Sequence, residues 1–276
     1  TMNQVLLILL FSLLTIHLYA NMRIELVGTA KTPNCSGVIF AHPHYQKKHK
    51  ALFLTNSHCL NSGKKNQRYM SPEEILWDSE FTEKIKVLTA QKGIFYGNLL
   101  KSLWTEKILF ASIEHRDIAV IQLKYTYAKI EKEHNIKPYI LHASRDLKAQ
   151  DSLQILGSYH EQIYDCQFKY FAKNFVAAGP YLWHDVLVLN RCLINTKPGD
   201  SGSAVIIKDT KKLIGLHNSA HHDNGSPCDT SNACEYDHKG RNISTLNDAY
   251  SQNLDFLFSC FDSDFAIKTE LCELAF

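Results

Sequence analysis

The sequence carries no surplus of charge: 30 Lys and Arg against 28 Asp and Glu over 276 residues leave a formal net charge of +2. Such a balance offers no electrostatic footprint for nucleic acid or for an anionic membrane surface. Charged residues make up 21% of the chain and hydrophobic ones 45%, the proportions of an ordinary globular protein. No CxxC pair or other zinc-like spacing occurs among the eight cysteines, so neither a structural metal nor a cofactor is expected. Long helical periodicity is missing as well until the C-terminus. What remains is a succession of short apolar runs, which points to sheet.

Acidic residues are absent from Met2 to Ala20, and no Lys or Arg precedes the apolar run Val5 to Leu14. That run is short of the roughly 18 to 20 residues a membrane span needs. With Leu18-Tyr19-Ala20 ahead of the polar Asn21, residues 1–20 resemble a secretory signal peptide whose charged first region is poor. Removal after Ala20 is expected, leaving residues 21–276 exported and without stable membrane association; a retained anchor is the alternative. Eight cysteines behind an export signal read as up to four disulfides in an oxidising, secreted or periplasmic, setting.

Past residue 20 the patterning is mostly strand-like. Cys35 to Phe40, Ala51 to Thr55, Lys84 to Thr89, Ile108 to Ser112, Ile118 to Leu123, Ser152 to Leu156, Val186 to Leu189, Ala204 to Ile207 and Lys212 to Leu216 are short, rich in branched residues and bounded by turn formers. An all-β architecture of sandwich or barrel type follows. Two helices are expected: a short one over Pro72 to Trp77, from the capping-box pattern Ser71-Pro72-Glu73-Glu74, and one over Leu246 to Phe261. The charged stretch from about 126 to 150, with Pro138, reads as a linker between an N-terminal lobe (about 21–125) and a C-terminal lobe (about 151–276).

Three stretches carry chemistry. Pro198-Gly199-Asp200-Ser201-Gly202-Ser203 sets a serine hydroxyl between glycines, where backbone N–H groups are able to converge on one oxygen. Upstream, Asn56-Ser57-His58-Cys59 supplies a base, and Arg116-Asp117-Ile118-Ala119-Val120 a carboxylate to orient it. Competing motifs fail. The nucleophile elbow requires Gly two residues after the serine, where Ser203 stands. His160-Glu161-Gln162-Ile163-Tyr164 ends in Tyr and is no metalloprotease helix. The pairs His42-Pro43-His44 and His221-His222-Asp223 read as solvated loop histidines rather than metal ligands.

In the order His, Asp, Ser these stretches resemble the T-A-A-H-C, D-I-A-L-L and G-D-S-G-G-P blocks of the chymotrypsin-like (trypsin-fold) serine peptidases. The likeness covers nearly all of residues 21–276. The loose spacing and the Gly-Ser-Ala ending resemble the bacterial glutamyl-endopeptidase-like (V8-like) branch more than animal trypsins. Departures are Asn56-Ser57 in place of two alanines and Ser203-Ala204 in place of Gly-Pro.

The resemblance implies two six-stranded antiparallel β-barrel lobes with the active site between them and a short C-terminal helix. It implies that Ser201 attacks the scissile carbonyl, that His58 relays its proton, that Asp117 orients the imidazole, and that the N–H groups of Gly199 and Ser201 form the oxyanion hole. It also implies a Cys35–Cys59 disulfide; the other six cysteines stay unassigned. Asn195 would floor the primary pocket, and Thr196 and the strand Gly215-Leu216-His217-Asn218-Ser219-Ala220 would wall it. Without a carboxylate at the floor, Arg or Lys specificity has no counter-charge, whereas Thr196 with His217 points to an acidic Glu or Asp side chain. In animal relatives a cut N-terminal amine pairs with the aspartate before the serine. Asp200 is available for one, and a terminus at Asn21 or nearby is the expected source.

The function expected is therefore a secreted serine endopeptidase acting on protein or peptide substrates as a monomer, with no nucleic-acid partner. A catalytically silent binding protein of the same fold, or an exported esterase, are the alternatives.

Overall fold

A computed structural model describes residues 25–61, 70–71, 73–90, 98–192, 196–223, 226 and 228–273. The expected signal peptide and the pocket residue Asn195 lie outside these residues. In chain order the strands begin with β1 (Thr29–Lys31), β2 (Ser36–Ala41), β3 (Lys50–Thr55), β4 (Ile75–Glu80), β5 (Lys84–Ala90), β6 (Asn98–Ser112) and β7 (Ile118–Thr126). Helix α1 (Tyr127–His134) and β8 (Tyr139–Leu141) follow. The second half holds β9 (Ser152–Gly157), β10 (Gln162–Phe171), β11 (Phe175–Ala178), β12 (Tyr181–Trp183), β13 (Val186–Asn190), β14 (Ala204–Ile207), β15 (Lys212–Ala220), β16 (Cys234–Tyr236) and β17 (Ala249–Asn253). A 3-10 turn at Asp255–Cys260 and helix α2 (Thr269–Glu273) close the described chain.

Pairing organises these strands into two closed rings of six. The order β1-β5-β6-β7-β3-β2 returns on itself through β1–β2, and β15-β14-β9-β10-β13-β17 returns through β15–β17. Closure removes the unpaired edges that an open sheet exposes. Strand β8 lies parallel to β2 on one side and to β15 on the other, joining the rings into one 14-stranded sheet with β4 added along β6. Alternation explains the inner faces: on β10, Tyr164, Cys166 and Phe168 are buried between less buried neighbours. They pack on Leu153, Ile155, Leu187, Leu189, Val205 and Ile214 inside the second ring, while Phe40, Phe53 and Phe110 belong to the core of the first. Each such large apolar side chain contributes about 1.5 to 3 kcal/mol on burial.

Four disulfides are formed: Cys35–Cys59, as the resemblance implies, and Cys166–Cys192, Cys228–Cys234 and Cys260–Cys272. The first closes a separation of 24 residues, a constraint of roughly 3 to 4 kcal/mol on the unfolded chain.

Both helix expectations need correction. At Ser71 the capping pattern does close, with Ser71 N–H donating to Glu74 Oε2 at 3.1 Å and Glu74 N–H to the Ser71 carbonyl at 3.0 Å. It closes a single turn only, because Ile75, Leu76 and Trp77 pair with β6 as a strand. Likewise Leu246–Phe261 is not one helix: Ala249–Asn253 is the strand that seals the second ring between β13 and β15. Ring closure outweighs a modest helical periodicity, and the C-terminal helix is instead α2. The stretch read as a linker holds α1, capped by the Thr126 hydroxyl accepting from Lys129 N–H and stopped by Asn135 at φ +53°. His42 is not a freely solvated histidine, since its ring stacks on Phe265 at 4.7 Å and meets Phe258 and Phe261.

Candidate active site

The chain turns out of β3 into a 3-10 turn, Ser57–Asn61, that presents His58 beside the start of β7. Asn56 and Ser57, the two departures from the family's alanines, fix that junction. Asn56 Nδ2 donates to the Asp117 carbonyl at 2.7 Å, and the Ser57 hydroxyl to the Ile118 carbonyl at 2.6 Å.

Asp117 is fully buried, and its carboxylate is held from three directions. Oδ1 accepts the His58 backbone N–H at 3.1 Å, while Oδ2 lies 2.5 Å from His58 Nδ1 and 3.2 Å from Asn218 Nδ2. A proton on Nδ1 facing a carboxylate leaves Nε2 as the basic nitrogen. Burial pushes the His58 imidazole down, but the charge of Asp117 and the hydrogen bond to it outweigh burial, so its pKa lies above the usual 6.5.

Ser201 sits where the turn after Asp200 enters β14. Its backbone carbonyl accepts Ser36 N–H at 2.8 Å, and its hydroxyl donates to the Asn218 carbonyl at 3.0 Å. Asn218 thus touches both Asp117 and Ser201. The sequence places Asn218 only in the strand that walls the pocket and does not reveal this double contact, because a buried asparagine on a β strand carries no motif of its own. Gly202 has φ +84°, and a Cβ there would lie 2.2 Å from the Ser36 carbonyl oxygen and 2.6 Å from Thr55 Oγ1. Gly202→Ala is therefore expected to destabilise the fold by about 3 kcal/mol or more, combining the left-handed backbone penalty with a clash against backbone. A thermal melt reads this as a fall of roughly 10 °C; an unchanged melting temperature contradicts the close approach.

His58, Ser201, Gly199, Thr196 and His217 all border one cavity of about 740 Å³, with Ile113, Pro180 and Tyr181 on its apolar side. Neither the N–H of Gly199 nor that of Ser201 donates to another described residue. The turn Gly179–Pro180 between β11 and β12 brings the small sheet β12-β11-β16 to the rim, where Gly179 N–H is tied to the Cys228 carbonyl at 2.6 Å. His217 is buried with Nδ1 unpartnered, and its pKa is pushed down to about 3 by burial first and by His222 and His58 second, against a hydrogen bond to the Tyr250 backbone. His222 also borders the cavity. Asp200 is buried and accepts from the Tyr164 hydroxyl at 2.5 Å and from Lys197 N–H at 2.8 Å. Burial raises its pKa, with those two bonds opposing. Cys35 and Cys59 approach His58 closely, but their sulfurs are spent on the disulfide and offer no thiolate to a metal.

The family model described as trypsin-like peptidase domain matches residues 35–216, more than half of the chain and a span that includes His58, Asp117 and Ser201. This chain belongs to the trypsin-like peptidase family. A comparison with curated proteins returns no match. Among solved structures, the Nocardiopsis protease NAPase superposes with a TM-score of 0.44 at 12% identity, covering 83% of this chain and 93% of that one. Deg5 gives 0.49 at 10% identity, covering 88% and 92%. A glutamic acid-specific serine protease that uses a histidine triad in substrate binding gives 0.41 at 13% identity, covering 80% and 87%. As a trypsin-like peptidase, the chain is a hydrolase whose substrates are proteins or peptides.

Proposed function

We propose that this chain is an exported serine endopeptidase of the glutamyl-endopeptidase-like branch, with Ser201 as nucleophile, His58 as general base and then acid, and Asp117 as its orienting carboxylate. One observation supports this above the others: His58, bonded to the buried Asp117, borders the same cavity as Ser201 and Gly199, whose N–H groups donate to no other described residue.

Rotation about its Cα–Cβ bond frees the Ser201 hydroxyl from the Asn218 carbonyl for Nε2 of His58. Apo sites commonly hold such bonds loosely until substrate arrives. Attack on the scissile carbonyl then forms the Ser–C bond while the hydroxyl proton passes to Nε2. The resulting oxyanion takes the two free N–H groups, and collapse hands the proton to the leaving amine. Water repeats the sequence on the acyl-enzyme. The Asp117 carboxylate holds the ring in place and stabilises the imidazolium.

Thr196 and His217 on the cavity wall support a preference for Glu or Asp before the scissile bond. Buried and uncharged at rest, His217 must take up a proton to face a carboxylate as an imidazolium. Because its free-enzyme pKa is about 3, that uptake is increasingly unfavourable as pH rises. The ratio of kcat/KM for a Glu substrate to that for its Gln isostere is expected to fall steadily between pH 6 and 9. A flat ratio, or no enrichment of acidic residues in cleavage profiling, removes this specificity.

The general reading is tested by labelling purified protein with a fluorophosphonate probe and measuring intact mass. A single adduct mapping to Ser201, and none on Ser201→Ala, supports it. No adduct on a folded, disulfide-bonded protein overturns it.

A further inference from the structure

The stretch His160-Glu161-Gln162-Ile163-Tyr164, which fails as a metalloprotease motif, forms the turn from β9 into β10 and the first residues of β10. From there it grips the segment 197–201. His160 Nε2 lies 2.9 Å from the Pro198 carbonyl oxygen. A ring nitrogen facing a carbonyl carries the proton and donates it. One residue on, the Gly199 carbonyl accepts the Ser36 hydroxyl at 3.0 Å, and the same hydroxyl oxygen accepts Tyr159 N–H at 3.0 Å. The next residue is held by the Tyr164 hydroxyl on Asp200.

We infer that the β9–β10 turn is the device that holds the oxyanion loop in its working orientation, with His160 and Tyr164 as positioning residues. The kinetic consequences rest on the reading of Ser201 as nucleophile; the clamp itself rests on the hydrogen bonds.

A trans peptide points its C=O and N–H in opposite directions. With the Pro198 oxygen drawn to His160 on the exposed side, the Gly199 N–H is directed away from His160, and Gly199 borders the cavity. Turned over, the same peptide would present a carbonyl to a developing negative charge and would lose the bond to His160. Gly199 has φ +102°, a conformation in which glycine turns freely, so the orientation needs an outside restraint. A Cβ at Gly199 would meet the Tyr159 ring at 2.6 Å, which shows how closely the turn lies against the loop.

Tyr164 supplies the second hold. It is fully buried and paired with Ile155 across the sheet, so its hydroxyl has little freedom. A Cβ on Gly157 would lie 2.4 Å from Asp200 Oδ1 and 3.0 Å from the Tyr164 ring, so the hairpin backbone itself closes over the carboxyl group. The turn is in its own right fastened to the first ring, by Glu161 to Lys31 at 2.8 Å and by the Ser158 hydroxyl to the Ala30 carbonyl. Both ends of the clamp are therefore anchored, one in each barrel.

The test compares His160→Ala and Tyr164→Phe with the full wild-type chain. Three readouts are taken: kcat and KM on a peptide substrate, affinity for a peptide aldehyde against the corresponding peptide alcohol, and hydrogen exchange over 197–203. The aldehyde forms a hemiacetal whose oxygen occupies the oxyanion site, and the alcohol does not. For each variant kcat is expected to fall about 10- to 100-fold, short of the about 100- to 1000-fold that follows outright loss of one donor. KM and alcohol affinity stay within about twofold, aldehyde affinity falls with kcat, and exchange over 197–203 quickens while β13 and β15 are unchanged. Unchanged kcat and exchange in His160→Ala overturns the inference, as does a fall in alcohol affinity that matches kcat. His160 is exposed, so its variant keeps the test valid if Tyr164→Phe unfolds. Wild type inert to substrate and probe would instead overturn the endopeptidase reading, with the exchange data still deciding the clamp.

Discussion

Ser201→Ala is expected to lower kcat by about six orders of magnitude while leaving KM within a few-fold, as read by active-site-titrated kinetics on a peptide substrate. The size follows from what the side chain does. On the proposed reading, without the hydroxyl no acyl-enzyme forms, His58 has no proton to relay, and only the N–H groups of Gly199 and Ser201 and substrate binding remain to assist attack by water. That residue of catalysis is worth about 1000- to 10000-fold over the uncatalysed reaction. Among the described residues the hydroxyl's hydrogen bond in the resting protein is to the Asn218 carbonyl at the wall of the cavity, a single neutral bond, so the fold loses little. A variant retaining more than about a thousandth of wild-type kcat would place the nucleophile elsewhere.

Asp117→Asn is expected to cost about 10000-fold in kcat with its own pH signature. In the wild type the His58 pKa is raised above 6.5, so with His58 as the proposed base activity should be full above that raised value and lost as pH falls through it. The stability linkage has the opposite sense. A raised histidine pKa adds stability below the unfolded-state value of about 6.5, and that contribution disappears as pH rises through the folded value. Replacing the carboxylate removes the charge that raises His58 and leaves burial, which lowers it. The acid limb of kcat/KM for the residual activity should therefore move to lower pH than in wild type. If the limb does not move, Asp117 is not what sets the basicity of His58.

Much of this arrangement was legible in the sequence because it depends on residues adjacent in the chain. Strand patterning located most of both rings, and the blocks around His58, Asp117 and Ser201 sit where the fold brings them to one cleft. The misses share a physical origin. At Ser71 a correct capping pattern closed one turn, and pairing along the 15-residue β6 then took over. At Leu246–Phe261 the apolar spacing suited a helix, yet the second ring needed a sixth strand and Ala249–Asn253 supplied it. The contacts of Asn218 and Tyr164 were invisible for another reason. Each acts on a group far away in sequence, separations of 101 residues to Asp117 and 36 to Asp200, which no local pattern encodes.

Strand β8 has only three residues, yet it hydrogen-bonds into both barrels, running parallel to β2 through Phe40 and Ala41 and to β15 through Lys212 and Leu213. Its neighbour β15 ends in the cleft wall, and β2 begins at the disulfide that flanks His58. Spreading the two halves would tear backbone bonds from a buried seam rather than bend a linker, so the cleft behaves as a slot of fixed width. On the proposed reading of this cavity as the active site, a polypeptide would have to be threaded into it as an extended strand, and tightly folded proteins would become substrates only where a loop or a frayed end projects far enough to enter.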